Sequence, residues 1–150
     1  MYRCVEKVKP NAVVHLGDHY DDAEALAEAY PHLIVHQVAG NCDKYRCPVS
    51  ARQMLCYRLG GVMTYMTHGH LFHVKSGIGA LTAEARKYGA QAVLYGHTHI
   101  PDCHREEDGL WVLNPGSAGY NGNSAGVLET DGERITACYL LTEKDLEEIK

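Results

Sequence analysis

Short apolar runs that each stop at a glycine and a polar residue constrain this chain more than any other feature. The clearest is the run at 93–95, which Gly96 ends and which His97, Thr98 and His99 follow. In an extended chain, residues at positions i and i+2 leave on the same face, so the two histidines could share one site. Neutral imidazole is the commonest protein ligand of a metal ion. A pair of surface histidines at a strand end is the competing interpretation of this motif alone.

The periodicity of the rest of the chain predicts a mixed α/β fold. Strands are predicted over residues 12–16, 32–38, 53–59, 62–67, 93–95, 103–107, 110–113, 124–129 and 134–141. Helices are predicted over residues 1–9, 21–30 and 77–88, with a short one after Thr142. Asp21 or Asp22 is expected to cap the second helix. The early strand–helix–strand order favours parallel strands, and glycine-containing turns at 60–61, 108–109 and 131–132 predict three hairpins.

Composition excludes several classes of protein. The 150 residues fit one domain with its own core. A formal net charge of −5 and the lack of a basic stripe argue against a protein that grips extended nucleic acid. No apolar run approaches about 20 residues, so no membrane span is expected. The six cysteines form no CxxC pair and follow no secretory signal, which favours reduced thiols in a cytoplasmic protein.

Four polar side chains follow predicted strands directly. They are Asp18, Asn41, His68 and His97. In open α/β sheets, sites form at the carboxyl ends of strands, so we expect these four side chains to converge. A mixed nitrogen and oxygen set suits Mn²⁺, Fe²⁺, Zn²⁺, Co²⁺ or Ni²⁺ rather than Ca²⁺. The lack of cysteine at these positions argues against a structural zinc–thiolate site.

The ordered segments VVHLGD, VAGNCD, YMTHGHLF, VLYGHTHIP and LNPGSAG, between residues 13 and 119, resemble the calcineurin-like metallophosphoesterase superfamily. More closely, they resemble its small phosphodiesterases of the YfcE type. The resemblance implies two facing mixed β-sheets flanked by helices in four layers. It also implies two metal ions bridged by Asp18, with Asn41, His68 and His97 on one ion and His99 on the other.

The resemblance implies metal-dependent hydrolysis of a small phosphodiester by a hydroxide that bridges the two ions. Mn²⁺ is the preferred cofactor, with Ni²⁺, Co²⁺, Fe²⁺ or Zn²⁺ as alternatives. Relatives often carry a histidine proton donor where this chain has Cys42. His70 is our candidate donor in its place, because it follows the same predicted strand as His68. The competing interpretation makes His70 a surface histidine or one that only supports the metal ligands.

One departure from the family pattern shapes the remaining expectations. The family opens with a strand ending in Asp-x-His, whereas this sequence begins in the first predicted helix. We therefore expect a single domain over residues 1–150 that lacks this strand and has impaired activity. About one tightly held metal ion per chain is expected. An exposed edge beside residues 12–16 would favour homo-oligomers. The alternative function is a scaffold for protein–protein contacts, as in the retromer subunit of the superfamily.

Overall fold

A computed structural model describes residues 1–119 and 123–147. Its helices are α1 (Tyr2–Val8), α2 (Tyr20–Ala29), α3 (Gly79–Lys87) and α4 (Glu143–Glu147). Its strands are β1 (Ala12–His15), β2 (Ile34–Gln37), β3 (Met54–Leu59), β4 (Val62–Thr67), β5 (Ala92–Leu94), β6 (Asp102–Arg105), β7 (Trp111–Asn114), β8 (Ala125–Thr130) and β9 (Ile135–Leu141). The predicted mixed α/β class is confirmed.

The described strands form three hydrogen-bonded sheets, and strands of the two smaller ones pack together on one face of the largest, in keeping with the facing sheets that the resemblance implied. Strands β1 and β2 pair in parallel, and β8 and β9 pair antiparallel. The third sheet has the order β3-β4-β5-β7-β6, in which β4, β5 and β7 run parallel to one another. Each of the three predicted hairpins is present as an antiparallel pair. The parallel strands β1, β2, β4 and β5 are the four strands whose carboxyl ends lead into the predicted polar residues.

The core lies on both faces of the five-stranded sheet. On one face Tyr65, Val93 and Val112 pack with Leu81 of α3, and each is at most 1% exposed. On the other face a second apolar cluster around Met66 and Leu94 meets side chains of β1, β8 and β9. Alternate residues of one strand therefore serve opposite layers, as the pleat of a β-strand requires. This double burial fixes β4 and β5 and hence the loops that follow them.

Of the two capping predictions, the one for the last helix agrees with the structure and the one for the second helix does not. Helix α4 is preceded by Thr142, whose N–H donates to the Asp145 carboxylate at 2.7 Å, as the Thr-x-x-Asp pattern predicted. Helix α2 is capped instead by His19, in the left-handed conformation with φ 58°. Asp21 and Asp22 lie in its first turn and do not cap it, so that prediction was wrong. Both carboxylates still face the positive end of the helix dipole.

Within residues 1–119 and 123–147, no helix is both long enough and apolar enough to cross a bilayer.

Candidate functional site

The residues predicted as metal ligands follow four different strands at one edge of the fold. Asp18 lies after β1, Asn41 after β2, His68 directly after β4 and His97 after β5. Parallel pairing aligns β1 with β2 and β4 with β5, so the chain leaves all four strands toward the same side. The sequence therefore brings together residues up to 79 positions apart by strand direction alone.

The Nε2 atom of His68 lies at the centre of this cluster. It is 3.1 Å from Oδ1 of Asn41, 3.1 Å from Nδ1 of His97 and 3.5 Å from Oδ2 of Asp18. The His68 side chain is 2% exposed, so these neighbours, rather than bulk water, supply most of its surroundings. We call Asp18, Asn41, His68 and His97 the polar cluster.

The other ring nitrogen of His68 fixes the tautomer. Its Nδ1 donates a hydrogen bond of 2.7 Å to the carbonyl of Leu16, which can only accept. The neutral ring therefore carries its proton on Nδ1 and directs the lone pair of Nε2 into the cluster. There it meets an amide oxygen and a carboxylate, which also offer lone pairs. Such a set of converging lone pairs suits a metal cation at its centre.

The spacing of the cluster suits a transition-metal ion. Ligand atoms that bind one ion at about 2.0–2.2 Å lie about 3 Å from one another. The distances of 3.1 Å from His68 Nε2 to Asn41 and to His97 match this spacing. Among the described residues, no group of three or more His, Cys, Asp or Glu side chains is already arranged to hold an ion. The convergent set instead includes the amide of Asn41.

Asp43 positions the loop that carries Asp18, a role that the sequence analysis missed. Its carboxylate is fully buried and accepts hydrogen bonds from the backbone N–H groups of Asp18 (2.9 Å), Tyr20 (3.0 Å) and Gly40 (2.7 Å). One side chain thus ties together the backbone of the two loops that follow β1 and β2. The available signal was the acidic residue at the end of Gly-Asn-Cys-Asp, which we interpreted as part of a turn.

Asn114 plays the equivalent part for the loop after β5. It is fully buried, and its amide donates to the Gly96 carbonyl at 3.1 Å and to Thr98 Oγ1 at 2.9 Å. Its own oxygen accepts from the N–H of Gly116 at 2.9 Å. One side chain thus joins the end of β7 to the two loops beside it. The sequence analysis assigned this segment to a tight turn only.

Close packing makes glycine obligatory beside Asp18. A Cβ atom on Gly40 would lie 2.2 Å from Asp18 Oδ1 and 2.5 Å from Asp18 N. Gly17 has φ +92°, and a Cβ there would lie 2.7 Å from Gly40 N and 2.8 Å from His68 Nδ1. These distances are below any normal contact, so the two loops meet only because neither residue has a side chain.

Asp18 and His97 are in the protonation states that bind a metal ion. Burial acts to raise the pKa of Asp18, but the hydrogen bond from the Cys42 N–H and the nearby His68 outweigh it, so the pKa lies below its usual value. Burial, with the nearby His68, lowers the pKa of His97. At neutral pH Asp18 is therefore an anion and His97 is neutral, the states in which both bind metal.

His97 and His99 do not share a face in the way that the sequence suggested. That inference assumed an extended chain, whereas the backbone is left-handed at both residues, with φ 66° and 59°. His97 turns into the polar cluster, and His99 lies exposed two residues further along. The i and i+2 rule fails because the chain has already left β5 at Leu94.

His70 lies beside the polar cluster. Its ring centroid is 5.4 Å from that of His68 and 6.1 Å from that of His97. Its Nδ1 is buried, and within the described residues it has no hydrogen-bond partner. Burial and the nearby His68 lower the pKa of His70, so the ring is mostly neutral at pH 7. The structure thus brings five of the six predicted site residues into one region, with His99 at its exposed rim.

Comparison with known proteins identifies relatives of the whole domain. The model of the calcineurin-like phosphoesterase superfamily domain matches residues 1–140. The probable metallophosphoesterase YsnB of Bacillus subtilis (strain 168) is 32% identical over 107 residues, which are 71% of this chain. The match spans 60% of the length of that relative.

Solved structures give the same assignment of fold. A conserved uncharacterized protein of Streptococcus pneumoniae TIGR4, described as a predicted phosphoesterase, has a TM-score of 0.73 at 28% identity and covers 94% of this chain and 80% of its own. Vacuolar protein sorting 29 of Cryptosporidium parvum has a TM-score of 0.71 at 18% identity, covering 95% and 87%. Vps29 of Entamoeba histolytica, solved in complex with Zn²⁺, has a TM-score of 0.63 at 19% identity, covering 88% and 82%. The last two show similarity of fold alone.

Proposed function

Because this chain belongs to the calcineurin-like phosphoesterase superfamily, we propose that it is a metal-dependent phosphodiesterase with its active site at the polar cluster. The observation that carries this proposal is the convergence of lone pairs on one point. His68 Nε2 faces the oxygens of Asn41 and Asp18 at 3.1 Å and 3.5 Å, and its own proton is committed to Leu16. A cation at this point would bind these lone pairs, and the Nδ1–H of His68 would keep its hydrogen bond to Leu16.

We assign the metal-binding role to Asp18, Asn41, His68 and His97, with His99 as a candidate ligand of a second ion. A divalent cation bound there supplies positive charge for the phosphoryl oxygens and a more acidic water. Mn²⁺ is the proposed ion, because imidazole, carboxylate and amide oxygen together suit it. The carboxylate of Asp18 and the neutral ring of His97 need no proton loss to bind at pH 7.

The remaining residues of the site bind and orient the substrate in this proposal. The amide of Asn41 has a nitrogen that can donate to a phosphoryl oxygen while its oxygen faces His68. His70 stands beside the cluster and is the proposed proton carrier for the leaving group. Its lowered pKa means that it must gain a proton before it can donate one. Activity that depends on His70 should therefore decline as the pH rises through this lowered pKa.

The test pairs metal analysis with hydrolysis of bis(p-nitrophenyl) phosphate in the presence of Mn²⁺. The proposal predicts bound Mn²⁺ and turnover in the wild-type chain, and loss of both in His97→Ala. The matched control is His32→Ala, an exposed histidine before β2, which should change neither. Metal binding without turnover by any diester would overturn the enzymatic proposal. A folded protein that binds no metal and hydrolyses no diester would favour the scaffold function instead.

A further inference from the structure

A groove of about 500 Å³ opens beside the polar cluster and has no role in the proposed chemistry so far. Val74 and Lys75, which follow His70 in the chain, form one wall. Tyr95, Thr98 and Ile100, from the loop that carries His97, contribute to the other side. Thr98 and Ile100 flank His99 in the loop that also carries His97, and the charge of Lys75 acts on His97, so the groove is close to the cluster.

The groove is lined by two residues of opposite charge, Lys75 and Asp102, together with apolar side chains. Lys75 lies close enough for its charge to act on both His97 and Cys42. It adds to the burial and the nearby His68 that lower the pKa of His97, and it opposes the burial that raises the pKa of the Cys42 thiol. Asp102 also lines the groove and accepts a hydrogen bond of 3.4 Å from the Tyr95 hydroxyl. A carboxylate oxygen has further acceptor capacity for a ligand donor.

The apolar part of the groove is partly formed by an exposed side chain. Val74 and Tyr95 are each 4% exposed, whereas Ile100 is 68% exposed at the mouth. The volume lies in the range that encloses a small organic ligand, about 300–1,000 Å³. A group that covers Ile100 would therefore bury apolar surface that the free protein leaves in water.

Resting on the proposed function, we propose that this groove binds the ester group of the substrate and that this group is a nucleoside. Lys75 would neutralise the phosphate charge, the apolar wall would contact a face of the base or sugar, and Asp102 would accept from an N–H or O–H of the nucleoside. Lys75 and Ile100 are binding residues in this proposal, and neither takes part in proton transfer.

The first test measures binding without catalysis. Adenosine 5′-monophosphate and methyl phosphate are titrated into ¹⁵N-labelled protein, each up to about 10 mM, and backbone amide shifts are followed by NMR. We expect the nucleotide to move the amide signals of residues 74–75, 98–100 and 102, and methyl phosphate to leave those of residues 100 and 102 unmoved. Lys75→Gln should weaken nucleotide binding about tenfold, the effect of one lost charge-assisted hydrogen bond. The control Lys87→Gln, an exposed lysine on α3, should have no effect.

The second test compares two substrates with one leaving group, the p-nitrophenyl esters of thymidine 5′-phosphate and of methyl phosphate. Ile100→Ser should lower kcat/KM about fivefold for the thymidine ester, through KM, and leave the methyl ester unchanged. Equal effects on both substrates would overturn the nucleoside assignment. Nucleotide shifts absent from the groove would overturn it as well, whether or not the protein hydrolyses diesters. A protein that binds nucleotide in the groove without turnover would refute only the proposed function.

A second, independent observation is a pair of thiols that join two sheets. Sγ of Cys103 on β6 lies 3.1 Å from Sγ of Cys138 on β9, and both side chains pack on the apolar cluster around Met66. The contact is closer than two sulfur atoms make without interaction. We infer that the two cysteines form a reversible disulfide between the five-stranded sheet and the β8–β9 sheet.

The step is an exchange with glutathione disulfide. The Cys103 thiolate attacks one glutathione sulfur and releases a first glutathione. Cys138 then attacks the mixed disulfide and releases the second, so that the two thiol protons leave with two reduced glutathiones. Burial raises the pKa of Cys138, so the second step should be slow at neutral pH and faster in alkali.

Peptide mapping after incubation with glutathione disulfide tests this inference. We expect a Cys103–Cys138 peptide, and a melting temperature about 5–10 °C above that of the reduced protein. Cys138→Ser should remove the shift, while the control Cys56→Ser should keep it. Glutathione adducts on Cys103 with no linked peptide would overturn it.

Discussion

The polar cluster and the apolar sheet faces below it are ordered in different ways. Leu81, Val93 and Val112 are fully buried in regular helix or strand. Of the six non-glycine residues with positive φ in the described part of the chain, five lie instead in the loops around the cluster: Asp18, His19, His73, His97 and His99. Each left-handed residue costs about 1–2 kcal/mol relative to a helical conformation. The packed sheet and helix therefore supply the stability that holds the strained site loops in place.

Removal of core volume should have the largest effect. Leu81→Ala deletes a fully buried side chain of α3 and should lower the free energy of unfolding by about 2–5 kcal/mol. The control Leu71→Ala removes a leucine that is 54% exposed and should cost less than about 1 kcal/mol. Urea titration followed by circular dichroism measures both. Equal losses in the two variants would contradict this expectation, since the buried face of α3 would then contribute no more to stability than the surface does.

A side chain at the close approach of the site loops should come next. Gly40→Ala places a Cβ atom 2.2 Å from Asp18 Oδ1, so we expect a loss of about 1–3 kcal/mol and weaker Mn²⁺ binding. The control Gly79→Ala has nothing within 4 Å of the new atom and should stabilise α3 by about 0.4–1 kcal/mol. Denaturant titration and Mn²⁺ titration are run on both variants. Unchanged stability and Mn²⁺ affinity in Gly40→Ala would show that these loops have room to move.

Release of backbone strain should have a smaller effect and should increase stability. His19 is exposed and left-handed at φ 58°, so His19→Gly should be more stable than His19→Ala by about 1 kcal/mol. Both variants lose the same imidazole, so their difference isolates the backbone. Thermal melts of the pair measure it. Identical melting temperatures would mean that this loop carries no strain.

The smallest effect concerns pH and lies away from the site. A hydrogen bond to Asp102 raises the pKa of His104, with Glu106 adding to the effect. The folded-state pKa lies above the unfolded value, so this stabilisation is complete below about pH 6.5 and is lost as the pH rises through the folded-state pKa. The His104 side chain is 40% exposed, and solvent screening limits the effect to less than about 1 kcal/mol.

Subtraction isolates this effect from the other histidines. Burial is the main cause of the lowered pKa values of His15, His36 and His70. These three residues therefore make the free energy of unfolding increase as the pH rises toward 6.5, which is opposite to the effect of His104. The stability of the wild-type protein minus that of His104→Gln should therefore fall as the pH rises from 6 to 8. A constant difference would contradict the assigned ion pair.

The features visible in the sequence were the local ones. The apolar runs before Asp18, Asn41, His68 and His97 contain the strands β1, β2, β4 and β5, and these four polar residues lie at the cluster. The left-handed backbone at His97 and His99 was not visible, because it follows from how the loop joins Asn114. The helix predicted over residues 77–88 includes Tyr88, which lies just beyond the end of α3 at Lys87 and is 48% exposed. The buried bonds of Asp43 depend on loops that meet only in the folded chain.

The contact between two hairpin turns has a consequence for how the chain folds. Thr130 Oγ1 donates to the Gly60 carbonyl across 70 residues, and the side-chain amide of Gln91 donates to the Glu133 carbonyl. The β8–β9 hairpin is local and can form early, but its docking must close a long loop. Contacts of large sequence separation slow folding, so this docking is a natural late step. During synthesis, the second apolar face of the central sheet stays uncovered until residues near 135–141 have left the ribosome, which is the interval in which the nascent chain is most prone to aggregate.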